Sequence, residues 1–480
     1  MSTQHPDNVT LPFFAENSVI GGEDEVQEAY YVFSHLGVEE QMWDSEGKEV
    51  DGFVVKKLLS KHDHFFRSHR IGKDVFLTLR VPNPAIEKNE AKVLVETLES
   101  IPRSFDAARN FYGDGIAPIF EVILPMTRSA AELNRIYDYY TKFVVGKQEQ
   151  NVGDISIRDW IGDFQPERIN IIPLIENKES MLNASTIVGD YMKGKKLDYQ
   201  RVFLARSDPA LNYGWISAIL LNKHTLAQLD VLQEKTSVDI FPIIGVGSAP
   251  FRGNFKPDNT SCFQGYPSVQ TFTVQSAFKY DYPPNVVREA VESLNETKRK
   301  RSPAVDEKNC LEVIERCSAR YIEQLKSLVP WVSKLSRYVP ARRRRKLHVG
   351  LFGYSRGVGA FDLPRVITFC AALYSYGLPP EIIGLDAVQE KDVEFFERGI
   401  YKNFFNDVRS VLQYVNVKNV KTISPHLGAF AQKALKRFDV EVNDEHLRVT
   451  DEVMRAVQAE DYGGMQEKIL KAGWVRKFLG

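Results

Sequence analysis

The feature that most constrains the fold of this chain is a series of short, apolar, β-branched runs that recurs from residue 75 onward. Helix-like patterns, with apolar residues at spacings of three and four, lie between most of the runs. Strands that are apolar along their whole length are buried on both faces, so the alternation predicts an α/β fold, a (β/α)8 TIM-type barrel. An open doubly wound sheet is the main alternative, although no GxGxxG sequence follows a first run. The eight predicted strands are residues 75–80, 118–125, 170–176, 202–206, 241–245, 269–275, 348–354 and 381–385.

Additional helices are predicted around this barrel. We interpret residues 1–70 as an N-terminal arm and helical lead-in, and residues 71–387 as the catalytic barrel, with a helical insert at 285–346 after the sixth strand. Residues 388–480 are predicted to be a C-terminal helical region packed on the barrel. A length of 480 residues fits one large domain or two to three ordinary ones.

The charge balance argues against a general electrostatic partner. The chain has 62 basic and 63 acidic residues and a formal net charge of -1, which gives no overall attraction to nucleic acid or to an anionic membrane. The basic run at residues 342–346 (RRRRK) has no interleaved aromatic residues. We therefore interpret it as a solvated loop or a patch for an acidic partner.

The N-terminus and the cysteines indicate a reducing compartment. The first residues are polar, without the basic and apolar blocks of a secretory signal, and no stretch reaches the ~18 to 20 apolar residues of a membrane span. We therefore expect a cytoplasmic protein. The four cysteines are Cys262, Cys310, Cys317 and Cys370, and they form neither a CxxC pair nor a disulfide framework. We predict that Cys310 and Cys317 are buried thiols rather than zinc ligands.

Two predicted strands each end close to a carboxylate. Glu176 ends the run at 170–176, and Asp208 follows the run at 202–206. Two carboxylates at neighbouring strand ends supply the few protein oxygens that a magnesium ion needs, while its other positions stay open for water and substrate phosphate. The alternative is structural: Glu176 caps the helix that follows, and Asp208, followed by Pro209, is an N-cap.

Arginines and glycine-rich loops are predicted at the same strand ends, where barrel enzymes place their chemistry. The fifth strand leads into residues 245–253 (GVGSAPFRG) and the seventh into 353–359 (GYSRGVG). Arginine binds phosphate and carboxylate in bidentate fashion, and glycines let backbone amides approach an anion. The predicted ligand is a small, multiply charged phosphorylated acid with a divalent metal. The candidate binding residues are Arg80, Arg252, Arg356, Arg365 and Gln275.

Several motifs resemble one known family, the archaeal-type phosphoenolpyruvate carboxylases. They are residues 2–8 (STQHPDN), 76–84 (FLTLRVPNP), 173–177 (PLIEN), 205–214 (ARSDPALNYG) and 278–280 (FKY). The likeness covers nearly the whole chain. It implies a barrel-fold lyase in which phosphoenolpyruvate and bicarbonate give oxaloacetate and phosphate, through carboxyphosphate and a metal-stabilised enolate. It also implies Mg²⁺ or Mn²⁺ and a homotetramer, with no nucleic-acid or membrane partner.

The resemblance also assigns roles to residues. His5 corresponds to the catalytic histidine of a TAHP motif in the larger enzymes of the family, and Glu176 and Asp208 correspond to their metal-binding acids. Arg80 and Arg252 are implied to be catalytic and, with Arg356, Arg365 and Gln275, to bind substrate. We expect the N-terminal arm to dock over the barrel mouth, so that deleting residues 1–8 abolishes turnover and leaves the melting temperature unchanged.

One loop departs from the family pattern. The larger enzymes have an HGRGG sequence after the fifth strand, and here Ile244 and Val246 replace its histidine and first arginine. Either another basic residue supplies that charge, or the phosphate is held differently.

Three other functions fit parts of the pattern. A pyruvate-kinase-like phosphotransferase also uses a barrel, a metal and phosphoenolpyruvate, but no nucleotide-binding glycine loop is present. An acyl-CoA lyase with a metal-bound enolate would not require so many arginines. A non-catalytic regulator that binds a phosphorylated metabolite would keep the pocket without the chemistry. Bicarbonate-dependent formation of oxaloacetate without nucleotide distinguishes the carboxylase from all three.

Overall fold

The fold is built on a strongly curled, seven-stranded parallel sheet with helices around it. The structure, a computed structural model, describes residues 1–46, 48, 50–259, 261–344, 356–358 and 361–480. The order of the strands in the sheet is β1-β2-β3-β6-β7-β8-β9, and every pairing is parallel. The strands are β1 (Glu40–Asp44), β2 (Phe76–Arg80), β3 (Glu121–Leu124), β6 (Asn170–Ile175), β7 (Tyr199–Ala205), β8 (Asp239–Gly245) and β9 (Thr271–Phe272).

Six of the predicted strands are confirmed, since the first six apolar runs overlap β2, β3, β6, β7, β8 and β9. The predicted eighth strand is wrong: residues 381–385 lie across two short 3-10 turns, Pro380–Ile382 and Leu385–Ala387. Pro379 and Pro380 fix φ and remove two backbone donors, which disfavours a central strand. The predicted seventh strand, 348–354, lies outside the described residues.

One strand of the sheet was not predicted. β1 has the sequence EQMWD, and all five of its residues are buried. Polar side chains at three of its five positions hide the apolar run on which the prediction relied. The lead-in therefore contributes a strand as well as helices.

The N-terminal arm lies between the two edge strands of the sheet. Ser2 donates its N–H to the Glu40 carbonyl (2.6 Å) and accepts from the Met42 N–H (2.9 Å). On the other side, the Thr3 N–H donates to the Val274 carbonyl (3.0 Å), and the Val274 N–H donates to the Met1 carbonyl (2.8 Å). Both bridges of Ser2 are parallel. The arm therefore satisfies edge groups that would otherwise be unpaired.

A small buried cluster accounts for the curl of the sheet. It takes side chains from Met1 and from five of the strands and is separate from the two larger cores that pack helices on the sheet. Inward side chains of a curled parallel sheet stack in this way. The members of the cluster are Met1, Met42, Ile123, Ile172, Leu174, Phe203, Ala205 and Ile243.

Many helices surround the sheet, and some of them lie in the described part of the predicted insert and in the C-terminal region. The helices before the insert are Glu23–Ser34, Val54–Lys61, Asp63–Ser68, Ala91–Tyr112, Ala130–Tyr139, Ile157–Ile161, Lys178–Leu182, Ala184–Met192, Ser207–Tyr213, Trp215–Thr236, Ser261–Gln264 and Ser276–Tyr280. The insert contains Pro284–Glu296, Glu307–Leu325 and Val329–Ser336. The helices after it are Val366–Ser375, Glu390–Phe395, Phe404–Leu412, Val417–Ile423, Pro425–Phe438, Asp444–Gln458 and Met465–Arg476. Two short antiparallel pairs complete the fold: β4 (Asn151–Val152) with β5 (Ile155–Ser156), and β10 (Arg356–Val358) with β11 (Phe361–Leu363).

Across the described part of the chain, no single helix combines the length and apolarity needed to cross a membrane. The bent pair Val366–Ser375 and Pro380–Ala387, with 95° between its halves, meets those two criteria only when its halves are taken together. All four cysteines are buried free thiols, which confirms the prediction made for Cys310 and Cys317.

The interpretation of the basic run as a solvated loop is wrong for its first two residues. Arg342 and Arg343 are buried, with exposed fractions of 5% and 3%. Arg342 donates to the carbonyls of Asn8 (3.3 Å) and Val9 (2.6 Å), and Arg343 forms an ion pair with Glu28 at 2.5 Å. These two arginines therefore anchor the N-terminal segment, because their guanidinium groups have acceptors inside the protein.

Glu28 lies at the centre of this anchor. It is fully buried and accepts hydrogen bonds from Lys279 (2.7 Å), the Tyr280 hydroxyl (2.5 Å) and Arg343. Lys279 in turn donates to the Ser2 hydroxyl and the Thr3 carbonyl, both at 3.0 Å. Burial alone would raise the pKa of Glu28, but Arg343 and Lys279 outweigh it and lower the pKa to about 2.

Replacing Glu28 with glutamine is expected to destabilise the protein by about 3 to 5 kcal/mol at pH 7, because two cations lose their buried partner. A depressed pKa gives stability that is present above the ordinary value of 4.5 and is lost as the pH falls toward 2. The difference between the free energies of unfolding of wild type and Glu28→Gln, measured in urea, should therefore shrink as the pH falls from 4.5 toward 2. Glu292→Gln, which removes an exposed partner of Arg288, is the control; an equal loss of stability there would contradict the assignment.

Candidate active site

The C-terminal ends of the parallel strands bring several charged side chains to one edge of the sheet. Arg80 is the last residue of β2, Glu176 follows β6, and Arg206 to Asp208 follow β7. The loop after β8 carries Arg252, and Gln275 lies just beyond β9. Parallel strands necessarily place such residues at the same edge, which is where open and closed α/β folds bind ligands.

The two predicted metal-binding acids follow neighbouring strands. β6 pairs with β7 in the register Ile175 to Leu204, so Glu176 and the turn that leads to Asp208 leave adjacent strands at the same edge. Both side chains are partly exposed. The Oε2 atom of Glu176 accepts a hydrogen bond from the Met126 N–H at 2.7 Å, which orients its carboxylate.

Neither acid is the helix N-cap that the structural alternative required. Asn177 caps Lys178–Leu182 by accepting from the Ser180 N–H (2.8 Å), and Arg206 occupies the N-cap position of Ser207–Tyr213. The described residues contain no group of three or more histidine, cysteine, aspartate or glutamate side chains placed to hold a metal. A pair of carboxylates nevertheless fits Mg²⁺ or Mn²⁺, since Mg²⁺ is usually bound by one or two carboxylates with water and substrate oxygens.

Arg252 connects four separate parts of the chain. Its guanidinium group is 1% exposed and donates to Asp7 Oδ2 (2.9 Å), to the Gly480 carbonyl (2.8 Å), to Ser207 Oγ (3.2 Å) and to Gln275 Oε1. Within the described residues these bonds use four of the five N–H groups of arginine. Arg252 therefore holds the arm, the C-terminal residue, the loop after β7 and the end of β9 together.

The glycine-rich loop is shaped around this guanidinium. A Cβ atom on Gly247 would lie 2.8 Å from Arg252 Cζ and 3.0 Å from Gln275 Oε1. Both distances are shorter than ordinary van der Waals contact. Position 247 therefore requires glycine, because any side chain there would approach Arg252 and Gln275 too closely.

Arg80 forms a bidentate ion pair that the sequence did not suggest. Its Nε and Nη2 atoms donate to the two Asp44 oxygens, both at 2.7 Å, and Glu46 lies 3.1 Å from Nη2. Lys48 also pairs with Asp44. Burial alone would raise the pKa of Asp44, but Arg80 and Lys48 hold it well below its usual range. The carboxylate thus stays ionised and fixes both cations.

His5 lies on the docked arm close to these cations. Its Nδ1 atom is 2.8 Å from Thr3 Oγ1, and its carbonyl accepts from the Ser276 N–H at 3.3 Å. Burial, followed by the positive charges of Arg80, Lys48 and Arg252, lowers the pKa of His5 well below its usual value of 6.5. The imidazole is therefore neutral at pH 7 before an anion binds.

Two further arginines, Arg365 and Arg356, were predicted to bind substrate. Arg365 is the N-cap residue of Val366–Ser375; burial lowers its pKa, while Glu46 raises it and Arg80 lowers it further. The Arg365 side chain is therefore part of the same electrostatic environment. Arg356 begins β10, and its side chain lies outside the described atoms.

The sequence comparisons decide the family. The sequence model of the family described as "Phosphoenolpyruvate carboxylase" matches residues 1–480. The chain belongs to the phosphoenolpyruvate carboxylase family. Three relatives carry the same name and match 100% of this chain and 99% of their own length. They come from Methanothermobacter thermautotrophicus (51% identical), Methanospirillum hungatei JF-1 (51%) and Pyrococcus abyssi (47%).

Membership of the phosphoenolpyruvate carboxylase family confirms the predicted lyase activity, the carboxylation of phosphoenolpyruvate to oxaloacetate. It argues against the phosphotransferase and the acyl-CoA lyase. The match over the whole chain also accounts for the motifs on which the resemblance rested, since all of them lie within it.

In this carboxylase, the two residues that replace the histidine and first arginine of the HGRGG sequence lie inside the protein. Ile244 and Val246 are fully buried, and Thr273 Oγ1 bonds both the N–H and the carbonyl of Val246, each at 2.8 Å. These positions therefore pack in the core. Lys48 is a basic residue whose positive charge lowers the pKa of His5. The sequence analysis did not select it, because its only distinguishing feature in the sequence is its position four residues after Asp44.

Proposed function

We propose that this chain binds phosphoenolpyruvate and bicarbonate at the C-terminal edge of its sheet and releases oxaloacetate and phosphate. The observation that carries the proposal is that Glu176, Asp208, Arg80 and Arg252 follow strands of one parallel sheet at the same edge, with the arm that carries His5 docked beside them. Two acids and several guanidinium groups suit a ligand with a phosphate, a carboxylate and a divalent cation.

Glu176 and Asp208 are proposed to hold Mg²⁺ or Mn²⁺. When bound, the metal supplies Lewis-acid stabilisation of the negative charge that develops on a substrate oxygen. The Met126 N–H, which bonds Glu176 Oε2 at 2.7 Å, keeps one carboxylate oriented toward that task. Outer-shell hydrogen bonds of this kind tune metal affinity.

The arginines are proposed to bind the anionic groups of the substrate. Arg80 is held by Asp44 and Glu46, so it enters the reaction with a fixed orientation and no reorganisation. Arg252 has one N–H group beyond its four bonds to offer a substrate oxygen. Arg356, Arg365 and Gln275 complete the proposed binding set. The positive charges in this set offset the negative charge on the phosphoryl group while bicarbonate attacks it.

His5 is proposed to accept the carboxyl proton of carboxyphosphate, so that carbon dioxide and phosphate separate. It is neutral before the reaction because burial and three cations lower its pKa. The Thr3 hydroxyl, 2.8 Å from Nδ1, fixes the ring and leaves Nε2 for the proton. Binding of a multiply charged anion raises the basicity of the imidazole again, which suits proton transfer near neutral pH.

We further propose that the sheet and the arm together form a closed (β/α)8 barrel. The hydrogen bonds of Ser2 to Glu40 and Met42, and of residues 1 and 3 to Val274, support this arrangement. The proposed domains are the arm and lead-in (1–70), the barrel with its insert (71–387) and the C-terminal helices (388–480). A cytoplasmic homotetramer is proposed from the family resemblance, and the mass measured by light scattering tests it.

The decisive experiment is a turnover assay with purified protein. We expect oxaloacetate to form from phosphoenolpyruvate only when bicarbonate and Mg²⁺ or Mn²⁺ are present, without any nucleotide. Phosphate should appear in equal amount. A requirement for ADP would favour the phosphotransferase instead. Binding of phosphoenolpyruvate without turnover would favour the non-catalytic regulator.

A further inference from the structure

A small cavity is lined by residues that flank the candidate active site along the chain. Its volume is about 20 Å³, and it is bounded by the segment after β7, the helix Trp215–Thr236 and the helix Phe404–Leu412. The charged side chains in its lining are Arg206, Lys223 and Asp407. Arg206 immediately precedes the Ser207–Tyr213 helix that carries Asp208, so one wall of the cavity is two residues from the proposed metal-binding acid.

The two cations of this cavity lack ionic partners. Arg206 is 1% exposed; its Nη1 atom donates to the Phe251 carbonyl (3.3 Å), but its Nε–H has no acceptor among the described residues. Lys223 is 7% exposed, donates to the Gly265 carbonyl (2.6 Å) and lies 4.5 Å from the centre of the Tyr266 ring. Neither cation forms an ion pair within 4.0 Å with any described carboxylate. Buried charges are normally paired, and these two lack such a partner among the described carboxylates.

The two nearby acids are hydrogen-bonded to other partners. Asp407 is already bonded by Asn254 (2.9 Å) and the Tyr401 hydroxyl (2.8 Å), and burial raises its pKa. Glu381, which interacts electrostatically with Arg206, accepts from the Tyr374 hydroxyl (2.7 Å), and burial raises its pKa to about 7. The Cys262 thiol in the lining stays neutral because burial raises its pKa. Among the described residues that line the cavity, Asp407 is therefore the only carboxylate near the two cations.

We propose that this cavity is a binding site for one small monovalent anion, a halide such as chloride, held between Arg206 and Lys223. A cavity of about 20 Å³ accommodates one atom of roughly the size of a water molecule. Phosphate, bicarbonate and carboxylates are too large for it. The anion neutralises the excess positive charge and fixes Arg206, and through it the turn that leads to Asp208.

The binding itself is tested on the wild-type protein. Crystals soaked in bromide are expected to show an anomalous peak between Arg206 Nε and Lys223 Nζ. Protein dialysed into potassium gluconate should melt roughly 1 to 4 °C lower than in potassium chloride at the same ionic strength, with saturable dependence on chloride. Density in the cavity without an anomalous signal, as for a bound water, would overturn the proposal. Equal melting temperatures in the two salts would overturn it as well.

A pair of matched variants assigns the effect to the cavity. Lys223→Met removes one of the two cations and should abolish the chloride-dependent rise in melting temperature. Lys195 is the control: it also donates to a backbone carbonyl, that of Tyr191, and lies 4.3 Å from the Tyr191 ring, but it does not line the cavity. Lys195→Met should keep the full chloride response. A chloride response that persists in Lys223→Met would refute the assignment, and the bromide peak in wild type decides the case if that variant does not fold.

Discussion

Replacing Asp208 with asparagine is expected to lower kcat for oxaloacetate formation by about 10³-fold, an effect of the size seen when one preorganised electrostatic group is removed. Asparagine keeps the shape of the side chain but loses the charge that a divalent cation requires. The side chain is partly exposed at a strand end rather than part of the core. The melting temperature of Asp208→Asn should therefore stay close to that of wild type.

The measurement separates metal binding from turnover. Titration of Mn²⁺, followed by electron paramagnetic resonance, should show weaker binding to Asp208→Asn and to Glu176→Gln than to wild type. Glu179→Gln is the matched control, because Glu179 is an exposed acid in the helix that directly follows Glu176. Unchanged Mn²⁺ affinity in both active-site variants would show that the pair does not hold the metal.

The parts of the fold that the sequence predicted are those governed by local pattern. β6 and β7 are apolar along their length, and their ends bring Glu176 and Asp208 to one edge as expected. β1 was missed because Glu40, Gln41 and Asp44 are polar yet buried, and their partners lie far along the chain. Glu40, for example, pairs with Arg201 at 2.8 Å. The pattern of apolar residues along the sequence does not indicate ion pairs between such distant residues.

The contacts of the site depend on tertiary structure for the same reason. Arg80 and Arg252 were identified from their positions after strands, but their partners Asp44 and Asp7 are separated from them by 36 and 245 residues. No local spacing encodes either pair. Asp44 ends a strand of the same sheet as Arg80, opposite it in register, so recognising β1 would have predicted this contact.

The structure also changes what a truncation can test. Residues 1–3 bridge two edge strands, and Asp7 accepts from Arg252 and the Ala277 N–H (2.7 Å). Deleting residues 1–8 would remove these bonds and expose the edges of the sheet, so we now expect the deletion to lower the melting temperature. Loss of activity in that variant would not identify His5. A point substitution is required.

Replacing His5 with asparagine is expected to lower kcat by about 10² to 10⁴-fold, the contribution of a positioned general base. Asparagine can still bond Thr3 through its amide group, and the arm is held by the backbone bonds of its neighbours, so the melting temperature should change little. His64→Asn, which alters an exposed histidine, is the control. Loss of activity in proportion to a loss of folded protein would point to a structural role instead.

The pH profile gives a second readout that a structural role would not produce. Burial, Arg80, Lys48 and Arg252 lower the pKa of His5 well below 6.5, so the free enzyme keeps a neutral base throughout the neutral range. In wild type, kcat/KM should therefore stay level as the pH falls through 6.5 and should decrease only at lower pH, with rates expressed per concentration of bicarbonate ion. His5→Asn should lack this acid limb. A limb that persists unchanged in the variant would assign the titration to another group and remove His5 from the proton transfer.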